Sequence, residues 1–289
     1  MENDVLGDFM ELITLVADLS FSEGPRWHNN RLYYSDFYRH VVEAVDLDGN
    51  VETIAQVPNQ SSGLGWLPDG RLLMVSMLDR KLLRQEADGT LSVHADLSEI
   101  ATFDCNDMVV DAKGRAYVGN FGSDIEGGVL PPKPAKLALV DVDGRVSCAA
   151  EDLSFPNGAV ITPDGTNLII AETFGKVLTC FDIDLAGGLS HRRVWANLDR
   201  HFPDGICLDS ASGIWIADPV NACVVRVIEG GEITNRVETH RPAYACMLGG
   251  EDGKRLFIST ADASGKAAAA SRTGRVEYID VEFSAAGLP

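Results

Sequence analysis

Positive charge is scarce in this sequence: 24 Lys and Arg stand against 43 Asp and Glu, a formal charge of −19 over 289 residues. The few basic residues form no patch, so phosphate backbones and anionic membrane surfaces repel the chain. Nucleic acid is thereby excluded as a partner. No stretch approaches ~18 apolar residues without a charge, which excludes a membrane-spanning helix. The first 19 residues carry Glu2, Asp4, Asp8, Glu11 and Asp18 and no Lys or Arg. A secretory leader needs the opposite pattern. The six cysteines (Cys105, Cys148, Cys180, Cys207, Cys223, Cys246) include no C-x-x-C pair. They read as free, mostly buried thiols of a reducing compartment. A soluble cytoplasmic protein is expected.

Common catalytic signatures are missing as well. The six histidines show no H-E-x-x-H spacing, which argues against a zinc protease. His201, three residues before Asp204, reads as a solvated loop residue. No G-x-S-x-G elbow supports an α/β-hydrolase serine. The glycines of Gly63-Leu64-Gly65 and Gly187-Gly188 lack the strand and helix context that a dinucleotide requires.

What the sequence does contain is repetition. Turn signals recur at His28-Asn29-Asn30, Pro68-Asp69-Gly70, Ala112-Lys113-Gly114, Pro163-Asp164-Gly165, Ala211-Ser212-Gly213 and Glu251-Asp252-Gly253. A short apolar segment precedes each turn and another follows it, which is a β-hairpin written six times. A second pair of strands follows most copies, and successive copies lie roughly 40–50 residues apart, the period of a propeller blade. The chain is therefore expected to be all-β, a single six-bladed β-propeller domain over residues 1–289. The last copy lacks its fourth strand. The spare segment Phe9–Leu19 supplies it by pairing near Arg275–Val281, closing the ring and hiding two sheet edges. The small polar tract from Ala261 to Thr273 reads as a flexible loop on the rim.

Equivalent positions can then be compared within the chain. The start of the innermost strand is occupied by Glu23, Ser62, Asn106, Asn157, Asp204 and Tyr244, which should converge at one mouth of the channel. The ends of the second strands, Asp36, Ser76, Asn120, Glu172, Asp218 and Thr260, are expected to complete a twelve-residue polar girdle. Two carboxylates and two amide oxygens, with no Lys or Arg in the first ring, suit a hard divalent cation. Asn157-Gly158 and Asp204-Gly205 are also common turn dipeptides. The repeat pattern thus leaves a metal site and a water-filled mouth both open.

At these positions the chain resembles the family of regucalcin (senescence marker protein), gluconolactonase and luciferin-regenerating enzyme. SEGPRW around Glu23, CNDMVVDAKGRAYVGNFG around Asn106, FPNGAVITPDG around Asn157 and FPDGICLDSASGIWIAD around Asp204 carry the resemblance. The match runs from about Leu19 to the end. It implies a six-bladed propeller with one divalent ion in the channel and, for many members, hydrolysis of lactones. By position it implies that Glu23, Asn157 and Asp204 hold the ion and that Asn106 is a further contact. Asp204 is also implied as acid/base, with Glu172 or Asp218 next in line should it be only a ligand. Calcium is the first choice of ion, ahead of zinc, magnesium, manganese or iron.

The sequence departs from the family at Asp104, where sugar-lactone members carry Arg. Asp124 takes the place of a common acidic residue, and with Asp104, Asn106 and Tyr244 it completes the expected substrate contacts. The substrate implied is a small lactone or ester, with acidic sugar lactones disfavoured. Phe37, Phe121, Phe174, Tyr244 and Met247 are candidates for an apolar mouth, at least half of them expected to be blade packing instead. A phosphotriesterase-type hydrolase and a non-catalytic calcium- or ligand-binding propeller are the other readings.

Overall fold

The computed structural model describes residues 11–125 and 127–289. These residues form six four-stranded sheets, each a meander of antiparallel neighbours. Blade 1 spans residues 22–56, blade 2 61–96, blade 3 105–153, blade 4 156–197 and blade 5 206–238. Blade 6 combines Ala243–Gly249, Arg255–Thr260 and Gly274–Asp280 with Ile13–Leu19 as its outer strand. Ile13 pairs with Tyr278 and Leu19 with Gly274, so the last sheet is made from segments far apart in sequence. Phe9 and Met10, included in the expected closing strand, lie outside the described residues.

Local sequence explains the hairpins. The D-G and K-G turns place glycine in the left-handed region, as at Gly70 (φ 87°) and Gly114 (φ 86°). A side chain there costs about 1–2 kcal/mol. The innermost strands are buried along their length, as in Cys105–Val110 and Pro156–Ile161. Their backbones nearly touch around the channel. A Cβ on Gly63 would strike Met108 N, and one on Gly158 would strike Ile206 N. The glycines that follow Glu23, Ser62, Asn157 and Asp204 are what allow this approach. Blade 3 has Asp107 at the same position, and its carboxylate projects beside Gly63.

The tract expected to be a flexible loop instead contains a helix, α1 (Gly265–Ser271). Its run of four alanines has the highest helix propensity available, and Ala268 is buried beside Phe21 and Phe37. Beyond the last strand the chain crosses the far face of the propeller. Ala286 N donates to Leu208 O, and Leu288 exchanges two hydrogen bonds with Ile161. Five of the six cysteines are buried, and all six are free. Among the described residues no helix is long and apolar enough to cross a membrane.

Candidate active site

Each innermost strand begins at the same end of the channel, and a register shift follows its first residues in five of the blades. The bulge turns the first side chain inward while the rest of the strand resumes its alternation. At that end lies a cavity of ≈ 390 Å³. All seven expected site residues line it: Glu23, Asp104, Asn106, Asp124, Asn157, Asp204 and Tyr244. Ser62, the remaining member of the first ring, does not; it is buried, and its carbonyl accepts a bond from Ser35.

Glu23 and Asp204 form the acidic centre. Burial pushes both carboxyls well above the usual carboxylate range. The charge of Asp204 raises Glu23 further, and Asp107 acts on both. A hydrogen bond from Asn157 partly offsets the rise at Asp204. Arg26 is the nearby cation, but its donors are spent elsewhere. They go to Asp107 at 2.7 Å and to the carbonyls of Pro25, Leu64 and Met108.

The two amides are oriented by their N–H groups. Asn157 Nδ2 donates to Thr173 Oγ1 at 3.3 Å, and the Thr173 hydroxyl donates to Pro203 O at 2.7 Å. Asn106 Nδ2 points to Pro156 O at 3.5 Å. The carbonyl oxygen of each amide is then the atom left for a ligand. Two buried carboxylates and two amide oxygens, with no uncommitted cation, fit a hard divalent ion. Thr173 is a positioning residue that the repeat comparison passed over by one residue.

The expected second ring is not part of the cavity. Side chains directly opposite in an antiparallel pair share a face. Asp36 is opposite Ser22, Ser76 opposite Ser61, Asn120 opposite Cys105, Glu172 opposite Pro156 and Thr260 opposite Ala243. Each partner precedes the first-ring residue, so the second ring points away from the channel. Asp36 instead receives Ser20 and the Phe21 N–H. Glu172 receives Thr179, Arg192 and the Ser154 N–H. Asp218 receives His201 Nδ1 at 2.7 Å and the N–H groups of Val220 and Asn221. Neither Glu172 nor Asp218 is placed to act as a base in the cavity.

His201 also differs from expectation. It is buried rather than solvated, and it belongs to blade 5 packing rather than to the cavity. His201, Asp218 and Cys223 offer ligand atoms within 4.8 Å of one another. The hydrogen bonds just described already occupy both oxygens of that carboxylate.

One step beyond the second strand, the chain does return to the cavity in blades 1 to 5. Phe37, Met77, Phe121, Thr173 and Pro219 line it, followed at the rim by Tyr38, Leu78, Phe174 and Val220. Two residues before the first ring stand Phe21, Gln60, Asp104, Phe155 and Phe202, which line it too. Of the five residues considered for an apolar mouth, Phe37, Phe121, Phe174 and Tyr244 line the cavity, but Phe37 is also part of a buried apolar cluster against which Phe121 and Tyr244 pack, and Met247 is core packing alone. Packing and lining thus coincide in Phe37, Phe121 and Tyr244; Phe37, Phe121 and Phe174 follow strand ends, where alternation no longer governs direction. Ser264 and Gly265 bring the start of α1 to the same rim. A larger groove of ≈ 1100 Å³ lies between blades 5 and 6, but its Arg236 and Arg275 are paired with Glu238 and Glu277.

Comparison with known proteins adds a family and a fold. The model of the SMP-30/Gluconolactonase/LRE-like region matches residues 21–262. A pentonolactonase of Haloferax volcanii is 28% identical over 265 residues, covering 89% of this chain and 88% of that protein. A luciferin-regenerating enzyme superposes with a TM-score of 0.81 at 17% identity, covering 96% of this chain and 98% of the other. A regucalcin of Agrobacterium tumefaciens, a calcium-binding protein, gives 0.80 at 20% identity, with 97% of both chains covered.

Proposed function

Since this chain belongs to the SMP-30/Gluconolactonase/LRE-like family, we propose that it is a divalent-metal-dependent hydrolase of lactones. The observation that carries this reading is the buried Glu23–Asp204 pair beside two oriented amides, without an uncommitted cation. Glu23, Asn157 and Asp204 hold the ion, with Asn106 beside it. Calcium is the preferred ion, because neutral amide oxygens and hard carboxylates form its usual shell. Bound there, a divalent ion polarises a lactone carbonyl as a Lewis acid.

The remaining chemistry belongs to the chain. Asp204 takes the proton of the attacking water and returns it to the alkoxide that leaves as the ring opens. Asn157 steadies the Asp204 carboxylate through its amide N–H. Asn106 orients the carbonyl or the water, and Tyr244, Asp104 and Asp124 contact the rest of the substrate. The name of the pentonolactonase relative supports a lactone substrate over a phosphotriester or a purely structural role. Six free thiols support a reducing compartment such as the cytoplasm. One propeller domain over residues 1–289 fits the six sheets described.

The test is a panel of lactones assayed on metal-stripped protein, with calcium, magnesium, manganese and zinc restored one at a time. Hydrolysis that vanishes on stripping and returns best with calcium is expected. Unchanged hydrolysis in chelator would remove the metal, and stoichiometric zinc in protein purified without added metal would overturn calcium.

A further inference from the structure

The cavity wall is unusual in what surrounds its acidic centre. Nine aromatic side chains line it, and among the described residues no Lys or Arg does. The rings form two groups on different sectors of the wall. In the first, Phe21 of blade 1 packs on Tyr244 of blade 6 with centroids 4.6 Å apart and on Phe37 at 5.3 Å. In the second, Phe121 of blade 3 stacks on Phe155 of blade 4 at 4.8 Å and 24°. Phe174 then meets Phe155 edge-on at 5.4 Å and 77°.

Repeat positions show that this wall is systematic. The residue two before the first ring is Phe in blades 1, 4 and 5, Gln in blade 2 and Asp104 in blade 3. Outside Glu23, Asn106, Asn157 and Asp204, the non-aromatic polar side chains on the wall are Gln60, Asp104, Asp124, Thr173 and Ser264, against nine rings, and its two further carboxylates both lie in blade 3. Asp124 Oδ1 already accepts the Gly127 N–H. Rim positions follow the same pattern, with Leu78, Phe174 and Val220 each partly or largely exposed at the mouth.

Such a wall discriminates by chemistry. A polyhydroxylated ring would set part of its hydroxyls against phenyl faces, and each one left unpaired is costly in a partly closed site. Away from the ion, an anionic lactone would meet Asp104 and Asp124 and no Lys or Arg. A flat aromatic ring instead finds edges and faces to stack on, an interaction favoured beyond simple burial. We infer that this cavity takes an uncharged lactone bearing an aromatic ring, its acyl carbonyl at the Glu23–Asp204 centre and its ring between the two aromatic groups. The inference rests on the lactonase reading above and narrows its substrate class.

The experiment uses the full chain loaded with calcium. Four lactones are compared by kcat/KM: a benzo-fused δ-lactone, unsubstituted δ-valerolactone, gluconolactone and glucuronolactone. The benzo-fused lactone should exceed both sugar lactones by at least ~tenfold, since one good aromatic contact is worth roughly that factor. Phe174→Ala removes a ring at the exposed rim, where little packing depends on it. It should raise KM for the benzo-fused lactone several-fold with kcat little changed, and lower kcat/KM for δ-valerolactone, which has no ring to stack, by a smaller factor. Phe174→Tyr should restore most of the loss.

A binding arm separates the two levels of the proposal. The benzo-fused δ-lactam of the same shape is titrated calorimetrically against gluconamide. If the lactam binds while no lactone turns over, the lactonase reading fails and the aromatic recognition stands. If gluconolactone or glucuronolactone is the best substrate, the inference is overturned and the lactonase reading survives. Absence of both turnover and lactam binding overturns both.

Discussion

The two ends of the channel treat buried carboxylates in opposite ways. At the far end Asp209 meets Arg226 at 2.6 Å, Asp111 meets Arg115 Nε at 2.6 Å, and both also cap hairpin N–H groups. Midway, Asp107 meets Arg26 at 2.7 Å. At the mouth, Glu23 and Asp204 line the cavity, and desolvation together with neighbouring carboxylates raises their affinity for protons, with no guanidinium committed to either. A buried acid with its own Arg is accounted for by folding alone. A desolvated pair without one costs stability, and the ion proposed above would offset that cost.

The largest expected effect tests the mouth. Asp204→Asn keeps an oxygen donor but removes the proton acceptor, so turnover should fall by ~10²–10⁴-fold. Excess calcium should restore ion binding and leave turnover low. Recovery of kcat on adding ion would make Asp204 a ligand only. The next effect tests the far end. Asp209→Ala strands the Arg226 guanidinium in the interior and should cost about 3–5 kcal/mol of stability. Denaturant unfolding measures this, and a loss below 1 kcal/mol would dissolve the contrast between the two ends.

Asp104→Arg returns a cation to a cavity wall that has none. It should shift the ratio of kcat/KM for glucuronolactone over a neutral lactone upward by about tenfold, or ~1.4 kcal/mol. No shift would mean that Asp104 does not meet the substrate. The smallest effect sharpens the electrostatic side of the comparison. The folded state raises the Glu23 pKa, so its contribution to stability is present below the unfolded value of about 4.3 and lost as pH rises through the folded one. Glu23→Gln should therefore raise the melting temperature of metal-free protein at pH 8, and the gain should fade toward pH 4. With calcium present the order should reverse at pH 8. A variant less stable than wild type in chelator at pH 8 would refute the electrostatic cost.

Much of this was legible from repetition. Six hairpin signals give six blades, and one position per copy leads to Glu23, Asn106, Asn157 and Asp204 in a single cavity. The second ring faces outward, against its parity from the hairpin, because the innermost strand is bulged near the first-ring residue in five of the six blades. Parity counted from the hairpin therefore slips by one before it reaches the mouth. The apolar wall was only partly visible for a related reason. Phe21, Phe155 and Phe202, like Met77 and Pro219, lie just outside the strands, where direction is set by turn geometry rather than by alternation. Thr173 was hidden in the same way, one residue past Glu172. The helix at 265–271 escaped because its flanking Gly and Ser masked four alanines.

The acidic lining has a kinetic consequence. Opening a lactone converts a neutral ring into a hydroxy acid, and near neutral pH the new carboxyl gives up its proton and becomes an anion. On the lactonase reading that anion forms at the Glu23–Asp204 centre, beside the ion proposed there, and on leaving the ion it faces Asp104 and Asp124, with no Lys or Arg on the wall to hold it. Like charges at a few ångströms in a partly desolvated cavity repel by several-fold more than in water. Once off the ion, such a product would be repelled rather than retained, and its way out would be the mouth, since Arg26 bridges the inner strands of blades 1, 2 and 3 below. Weak inhibition by the hydroxy acid, deepening as salt screens the repulsion, is the behaviour built into this wall.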